Sequence, residues 1–299
     1  MNTLTAILFI LSFCLWTTPR IGAAEIQADA ESPQQKVVLK WLGVAGWEIE
    51  LGKTIILIDP FLSRKEWSGN AEWKTDEEAV LKVIKGADYI FAGHSHGDHI
   101  GDVPFIAKRF KSKIIGSRTT TNLALTAGVD KSQVIPIKGG EKLDFKEFSV
   151  QVIESQHGVK TISGRRRQPK FEEILRPWDG PIRGNDFVEG GSYLYYFTFG
   201  KHRVLHQSTG NVIEEKLKGL RPDVALMNSG RPYDLRSVLK TLNPKVIIIH
   251  HFDDWLIPFS AGMSAADKRA QGFRRDIRSA DSQIKVIIPT EFLMTYTLE

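Results

Sequence analysis

The chain of 299 residues holds a single cysteine, Cys14, and it sits in the first apolar segment. An internal disulfide is thereby excluded, and any metal centre beyond that segment must be built from nitrogen and oxygen donors. A chain of this length buries enough apolar surface to fold without covalent staples. Extreme charge is absent as well. The net charge of +5 falls short of a nucleic-acid-binding protein and favours an acidic small-molecule or lipid substrate, or peripheral contact with a membrane surface. The apolar run Leu4–Trp16 is shorter than the ~20 residues that span a bilayer. It is followed by small residues at Gly22, Ala23 and Ala24, which suit a signal peptidase. Residues 1–24 therefore read as a cleaved secretory signal and the mature protein as secreted or periplasmic, although Met1-Asn2-Thr3 lacks the usual basic side chain. Cys14 is a poor lipidation site because bulky Phe13 precedes it.

What the chain does have is concentrated in Gly93-His94-Ser95-His96-Gly97-Asp98-His99-Ile100, directly after the apolar run Tyr89–Ala92. Three imidazoles and a carboxylate within six positions form a ligand set for zinc or a similar borderline cation. His94 and His96 are two apart, so in extended backbone they share a side and can share an ion. Asp98 and His99 follow at a change of chain direction and can face a second ion.

The pattern His-x-His-x-Asp-His resembles the signature of the metallo-β-lactamase superfamily, and the resemblance runs from about Val37 to the C-terminus. It implies an α/β fold, a four-layer αβ/βα sandwich, with a one- or two-metal site along one edge and hydrolysis of esters, lactones, amides or phosphodiesters. Residues 25–36 read as a polar lead-in and 37–299 as the hydrolase domain.

Along that domain, Val37–Leu42, Trp47–Leu51 and Thr54–Ile58 read as strands, with Gly52-Lys53 as a tight turn. The third strand ends in Asp59-Pro60, where the resembled family uses an aspartate to support the metal loop. Thr75-Asp76-Glu77-Glu78 reads as a capping box opening a helix to about Lys85. Helices are expected over Val103–Lys111, Thr119–Ala127, Asp234–Leu242 and Ser264–Arg278, the last capped by Ser264 with Asp267 in its first turn. Phe148–Ile153 reads as a strand that leads to His157, the natural third ligand of the His94/His96 ion. Thr161–Gly190 is irregular and basic, and Arg165, Arg166 and Arg167 offer guanidinium forks for an anionic substrate.

A second strand, Gly-Lys, strand unit follows at Ser192–Gln207, in keeping with a duplicated sandwich. It ends in His206-Gln207-Ser208-Thr209, where many family members place an aspartate that bridges two metals. Its absence leaves Ser208 or Thr209 to hold a bridging water, or the second metal weakly bound. His206 reads as a packed strand histidine. Lys245–Ile249 leads to His250-His251-Phe252-Asp253, and the family's His-aromatic-Asp order selects His251 as ligand with Asp253 in support.

The expected set is His94, His96 and His157 for one ion and Asp98, His99 and His251 for the other, two divalent ions in all, zinc being the first choice. Three protein ligands per ion leave positions open for water, as in catalytic sites. The chemistry expected is hydroxide attack at a carbonyl or phosphoryl centre, with Asp98 orienting the nucleophile. Trp41–Trp47 followed by Ile58-Asp59-Pro60-Phe61 is similar to the branch containing the ascorbate-phosphate lactonase and the N-acylphosphatidylethanolamine phospholipase D. The cysteine-free ligand set also resembles di-zinc β-lactamases, but Gln156-His157-Gly158 departs from their Gly-His-Thr-x-Gly, which ranks antibiotic hydrolysis lower. A non-catalytic exported metal- or ligand-binding protein is the remaining alternative, its support being the missing bridging aspartate.

Overall fold

Apolar alternation in the first strand sets the architecture. Val37, Leu39 and Trp41 are buried while Val38 and Lys40 between them are half-buried, so one face of the strand is committed to a core. In the computed structural model, which describes residues 36–158, 160–162 and 165–167 (backbone), 171–230, 232–263 and 268–298, this strand is β1, Val37–Gly43. The expected signal and most of the lead-in lie outside the described residues, as do Ser264 and Asp267.

The first half continues with β2 (Gly46–Leu51), β3 (Thr54–Ile58), α1 (Glu77–Val83), β4 (Tyr89–Phe91), α2 (Gly97–Ile100), α3 (Val103–Phe110), β5 (Lys113–Ser117), α4 (Arg118–Thr126) and β6 (Val134–Ile137). The second half holds β7 (Lys142–Asp144), β8 (Ser149–Ser155), β9 (Lys160–Ile162), β10 (Arg165–Arg167), β11 (Ser192–Phe199), β12 (His202–Gln207), β13 (Val224–Asn228), α5 (Leu235–Leu242), β14 (Val246–His250), α6 (Lys268–Ala280), β15 (Lys285–Ile287) and β16 (Thr295–Leu298).

Two seven-stranded sheets result, in the orders β16-β1-β2-β3-β4-β5-β6 and β15-β14-β13-β12-β11-β8-β7. In the first, β16, β1, β2 and β3 pair antiparallel and β3 to β6 parallel. The second repeats this: β7, β8, β11 and β12 pair antiparallel, and β12 to β15 parallel. The β2–β3 and β11–β12 hairpins occupy matching places, and each turns on a glycine of positive φ, Gly52 (59°) and Gly200 (54°), a conformation open to glycine at no steric cost.

Side-chain alternation divides the core. Phe91 faces the second sheet, edge-on to Tyr195 and Phe197 at ring separations of 5.1 Å each, whereas its neighbour Ile90 packs among Val80, Ile106 and Leu123 of the helices on the first sheet. On the far side, Leu235, Val238, Leu239 and Leu242 form the buried stripe of α5, which joins α6 residues Phe273 and Ile277 against the second sheet. Helices, sheet, sheet and helices make the four layers of an αβ/βα sandwich.

Two local expectations are corrected. The cap of α1 is Asp76, whose carboxylate accepts from Ala79 N at 3.0 Å, while Thr75 turns its hydroxyl to Gly101 O. The carboxylate at the shorter reach satisfies the free N–H groups of the first turn. The irregular stretch Thr161–Gly190 contains the short β9–β10 hairpin and a 3₁₀ turn at Gly184–Asp186. Strands β5, β6 and β7, short and without clear alternation, have no counterpart in the pattern reading.

Candidate metal centre

The parallel strands deliver their following loops to one edge of the sandwich, and the reactive side chains gather there. Strand β4 ends at Phe91, and the chain then turns through His94 and His96 into the single turn of α2, which carries Asp98 and His99. His94 Nε2 lies 3.1 Å from His96 Nδ1. His157, just past β8, stacks edge-on against both, at ring separations of 5.0 and 4.7 Å. His251, just past β14, brings its Nε2 to 3.4 Å from His99 Nε2 and 3.4 Å from Asp98 Oδ2. Within each trio, His94/His96/His157 and Asp98/His99/His251, the donor atoms lie within 4.8 Å of one another. The His94 and His99 rings are 3.9 Å apart, so the trios adjoin.

These distances fit cation ligands. Two imidazole nitrogens held ~2.1 Å from one tetrahedral ion are ~3.4 Å apart, close to the observed 3.1 and 3.4 Å. The tautomers fit as well. His99 Nδ1 donates to Asp59 Oδ2 at 3.0 Å, and His157 Nδ1 donates to Gly158 O at 3.0 Å, so in each ring Nε2 is the nitrogen that faces the trio and would ligate once deprotonated. His94 is fully buried, and burial first, then the neighbouring His99, His96 and His157, holds its pKa well below the ordinary imidazole value, neutral and able to ligate. Burial acts to lower His99 too, but the Asp98 and Asp59 carboxylates outweigh it and push the metal-free imidazole up to about 10. Burial acts to raise Asp98, and the facing His99 and His251 reverse this, so its carboxyl lies well below the usual range.

Supporting residues tie the loops down. Asp59, which closes β3 with φ 45°, accepts from Gly93 N at 2.7 Å, from Ser208 Oγ at 2.5 Å and from His99. Burial opposes ionisation of Asp59, yet His99, His206 and Ser208 together keep it below the ordinary carboxylate value. Gly93 has no room for a side chain, since a Cβ there would meet Ser208 Oγ at 1.9 Å. Ser95 N donates to Glu189 O at 2.9 Å, and its hydroxyl lies 2.8 Å from Thr120 Oγ1. The hydroxyls expected to face a bridging water are engaged elsewhere: Ser208 donates to Asp59, and Thr209 accepts from Gly158 N and donates to Gln156 O.

The structure also separates the adjacent histidines. His250 accepts from Trp47 Nε1 at 2.8 Å and donates to Gln207 O at 2.9 Å, which uses both ring nitrogens, while His251 points to the trio from a left-handed backbone of φ 55°. His206 is fully buried against Ala45 O at 2.9 Å. Asp253 makes no hydrogen bond or ion pair with any of the six candidate ligands. It accepts from Val44 N at 2.9 Å and pairs with Arg64 at 2.8 Å, holding Val44 at φ 49°, a costly conformation for a β-branched residue. Val44 O in turn receives His251 N at 2.8 Å, so Asp253 acts on the ligand through Val44. The side chains of Arg165, Arg166 and Arg167 lie outside the described residues.

Sequence reasoning missed three contributors. Trp67 stacks on His96 at 5.4 Å and 22°; its signal was an unusually aromatic stretch from Phe61 to Trp73. Asp102, buried three residues past His99, accepts from Leu62 N at 2.7 Å and Ser63 N at 2.8 Å and anchors the turn that follows α2. Glu189 reaches the ligand loop through its carbonyl, and no local pattern marked it.

Comparison with known proteins agrees with this geometry. Residues 38–251 match the family described as "Beta-lactamase superfamily domain". The chain is similar to the UPF0173 metal-dependent hydrolase of Methanopyrus kandleri, 23% identical over 84% of this chain and 95% of the relative. It is also similar to that of Heliobacterium modesticaldum, 26% identical over 85% and 95%. Among solved structures, the metallo hydrolase Igni18 of Ignicoccus hospitalis superposes with a TM-score of 0.59 at 21% identity, covering 88% of this chain and 99% of that one. The metallo-β-lactamase fold protein YhfI of Bacillus subtilis gives 0.56 at 11%, covering 88% and 100%.

Proposed function

Because the chain belongs to the metallo-β-lactamase superfamily and is a metal-dependent hydrolase, we propose that its substrates are esters, lactones or phosphodiesters of a small molecule or lipid, cleaved at a pair of zinc ions. The observation that carries this reading is the meeting of the two trios, with His94 and His99 rings 3.9 Å apart, at a cleft of about 260 Å³ lined by His94, His96, Asp98, His157 and His251. His94, His96 and His157 would hold one cation, and Asp98, His99 and His251 the other. Bound there, divalent cations supply Lewis acidity for a carbonyl or phosphoryl oxygen and acidify water.

The chain's own residues set the rest. Asp98, kept ionised by His99 and His251, would accept a hydrogen bond from the attacking water at the cleft and so orient it. Asp59 holds His99 in the tautomer that presents Nε2. Trp67 covers one face of His96 and keeps solvent from it. The sequence likeness at Trp41–Trp47 and Ile58–Phe61 favours the lactonase and phospholipase D branch. An anionic substrate group would be met by Arg165, Arg166 and Arg167, and export by a signal at residues 1–24 remains part of the same proposal.

Metal analysis combined with a substrate panel tests the reading. Two ions per chain and chelator-sensitive turnover of a lactone or bis-aryl phosphate are expected. Turnover of nitrocefin alone, at ~10⁴ M⁻¹s⁻¹ or above, would replace it with antibiotic hydrolysis. Replacing Arg165–Arg167 by alanine should raise KM severalfold for an anionic substrate and spare an uncharged analogue; equal effects on both would remove the arginines from recognition.

A further inference from the structure

The wall of the cleft above the two trios is described by Trp67, Gly158, Thr209, Gly210, Asn228 and Trp255. Among the described residues no lysine or arginine lines it, and Asp98 is the only carboxylate. Its neutral polar side chains are already engaged. The Thr209 hydroxyl serves Gly158 N and Gln156 O, and the Asn228 carboxamide accepts from Gly230 N at 2.8 Å and donates to Ser208 O at 3.3 Å. Glycines 158 and 210 approach each other closely, a Cβ on Gly158 falling 3.6 Å from Gly210 Cα, so that side of the wall is bare backbone. Among the described lining residues, what remains to receive a substrate is the pair of indoles.

Neither indole is tied down by a hydrogen bond: Trp67 Nε1 and Trp255 Nε1 are both buried without a partner. Trp67 is placed by packing alone, between the His96 ring, the edge of Phe187 at 6.3 Å and Gly97, where a Cβ would meet the indole at 2.5 Å. Aromatic faces favour flat guests that can stack on them or meet them edge-on. At about 260 Å³ the cleft lies just below the usual range for drug-sized ligands, so it admits one ring or a short acyl chain.

We propose that Trp67 and Trp255 are specificity-determining residues that receive an uncharged, flat acyl group, of benzoyl size, next to the scissile bond. This rests on the hydrolase reading and narrows it. A charge on the substrate would lie outside this cleft, away from the reacting carbonyl.

The test uses metal-loaded protein and three 4-nitrophenyl esters with one leaving group: benzoate, acetate and the anionic hemisuccinate. Benzoate is expected to exceed hemisuccinate by about tenfold in kcat/KM. Trp255→Ala, which leaves the ligand-stacking Trp67 in place, should lose about tenfold on benzoate and under twofold on acetate, while Trp255→Phe keeps most of the preference. Metal content, measured alongside, should be unchanged. Equal losses on benzoate and acetate, or a preference for the hemisuccinate that survives in Trp255→Ala, overturns the proposal. Binding without turnover separates the two levels: NMR titration with benzamide should show saturable binding that Trp255→Ala weakens. Benzamide binding with no ester turned over would sink the ester reading and keep the indole site, whereas turnover with benzamide bound equally by wild type and Trp255→Ala would do the reverse.

Discussion

The two halves of the sandwich repeat one strand plan yet equip it differently. After β4 the first half places His94, His96, Asp98 and His99 on one short loop and helical turn. The second half supplies one candidate ligand after β8 and one after β14, His157 and His251, 94 residues apart by their numbers. Where the hairpins correspond, β3 is followed by Asp59 and β12 by Ser208, and these two meet across the sheets at 2.5 Å. One half thus carries the charge and the other the hydroxyl that donates to it. The difference also governs anchoring. The first loop is fastened by Asp59, Ser95 and Asp102, whereas His251 is fastened through Val44 of the other half. A ligand cluster can be rigid by itself; isolated ligands need long-range support.

The largest expected effect comes from breaking either half's ligands. His96→Ala and His157→Ala should each remove the same single ion, and His251→Ala the other, all with a loss of about a thousandfold or more in kcat/KM. Metal analysis of the three variants reads the partition directly, and loss of different ions from His96→Ala and His157→Ala would dissolve the pairing of the trios.

Next in size is the support of the isolated ligand. Asp253→Ala leaves Arg64 buried, its side chain 1% exposed, without its carboxylate partner. Stability should fall by about 3 kcal/mol, or roughly 8 °C in Tm. Relaxed metal binding should accompany it at the His251 trio and not at the His94 trio. An unchanged Tm would mean that Val44 keeps its strained backbone unaided.

The bond across the halves offers a finer comparison. Asp59→Asn should weaken metal affinity about tenfold to a hundredfold by releasing His99. Ser208→Ala, which removes one donor and leaves two others on Asp59, should cost about 1 kcal/mol. The double variant should be less than additive, because the pair shares one contact; strict additivity in denaturant melts would deny the coupling.

The pH dependence is the smallest effect and the most specific to the first half. In metal-free protein His99 is raised to about 10, above its ordinary value of ~6.5. Its contribution to stability is then complete below ~6.5 and disappears as pH rises through about 10. Asp98 and Asp59 are lowered, so their contributions hold above the ordinary carboxylate range and are lost in acid. A divalent cation that binds His99 at pH 8 would have to displace its proton. Calorimetry in buffers of different ionisation enthalpy should register that release, and His99→Gln should abolish it.

Much of the site was readable because its chemistry is dense in sequence. His94 and His96, two residues apart, and Asp98 and His99, adjacent, lie on one short loop and helical turn, so local chain geometry already brings each pair together. The strands β1, β2, β3, β11 and β12 were readable for a similar reason, since alternation and a Gly-Lys turn are local. His157 and His251 were reached through their positions after apolar strands and through family likeness. Asp253 and Ser208 were expected as supporting residues, but not the partners they act on, because a carboxylate that holds Val44 and a hydroxyl that donates to Asp59 leave no periodic trace. The short strands β5 to β7 were missed because three to five residues carry too little pattern.

By itself, then, the sequence determined the class of the donor atoms: nitrogen and oxygen, clustered where a buried strand ends, with no cysteine after Cys14. Only the tertiary structure decided which imidazoles gather in each trio, which of His250 and His251 turns toward them, and that two indoles wall the cleft. Those outcomes depend on contacts between residues far apart in the chain, and such contacts exist only once the two sheets have packed face to face.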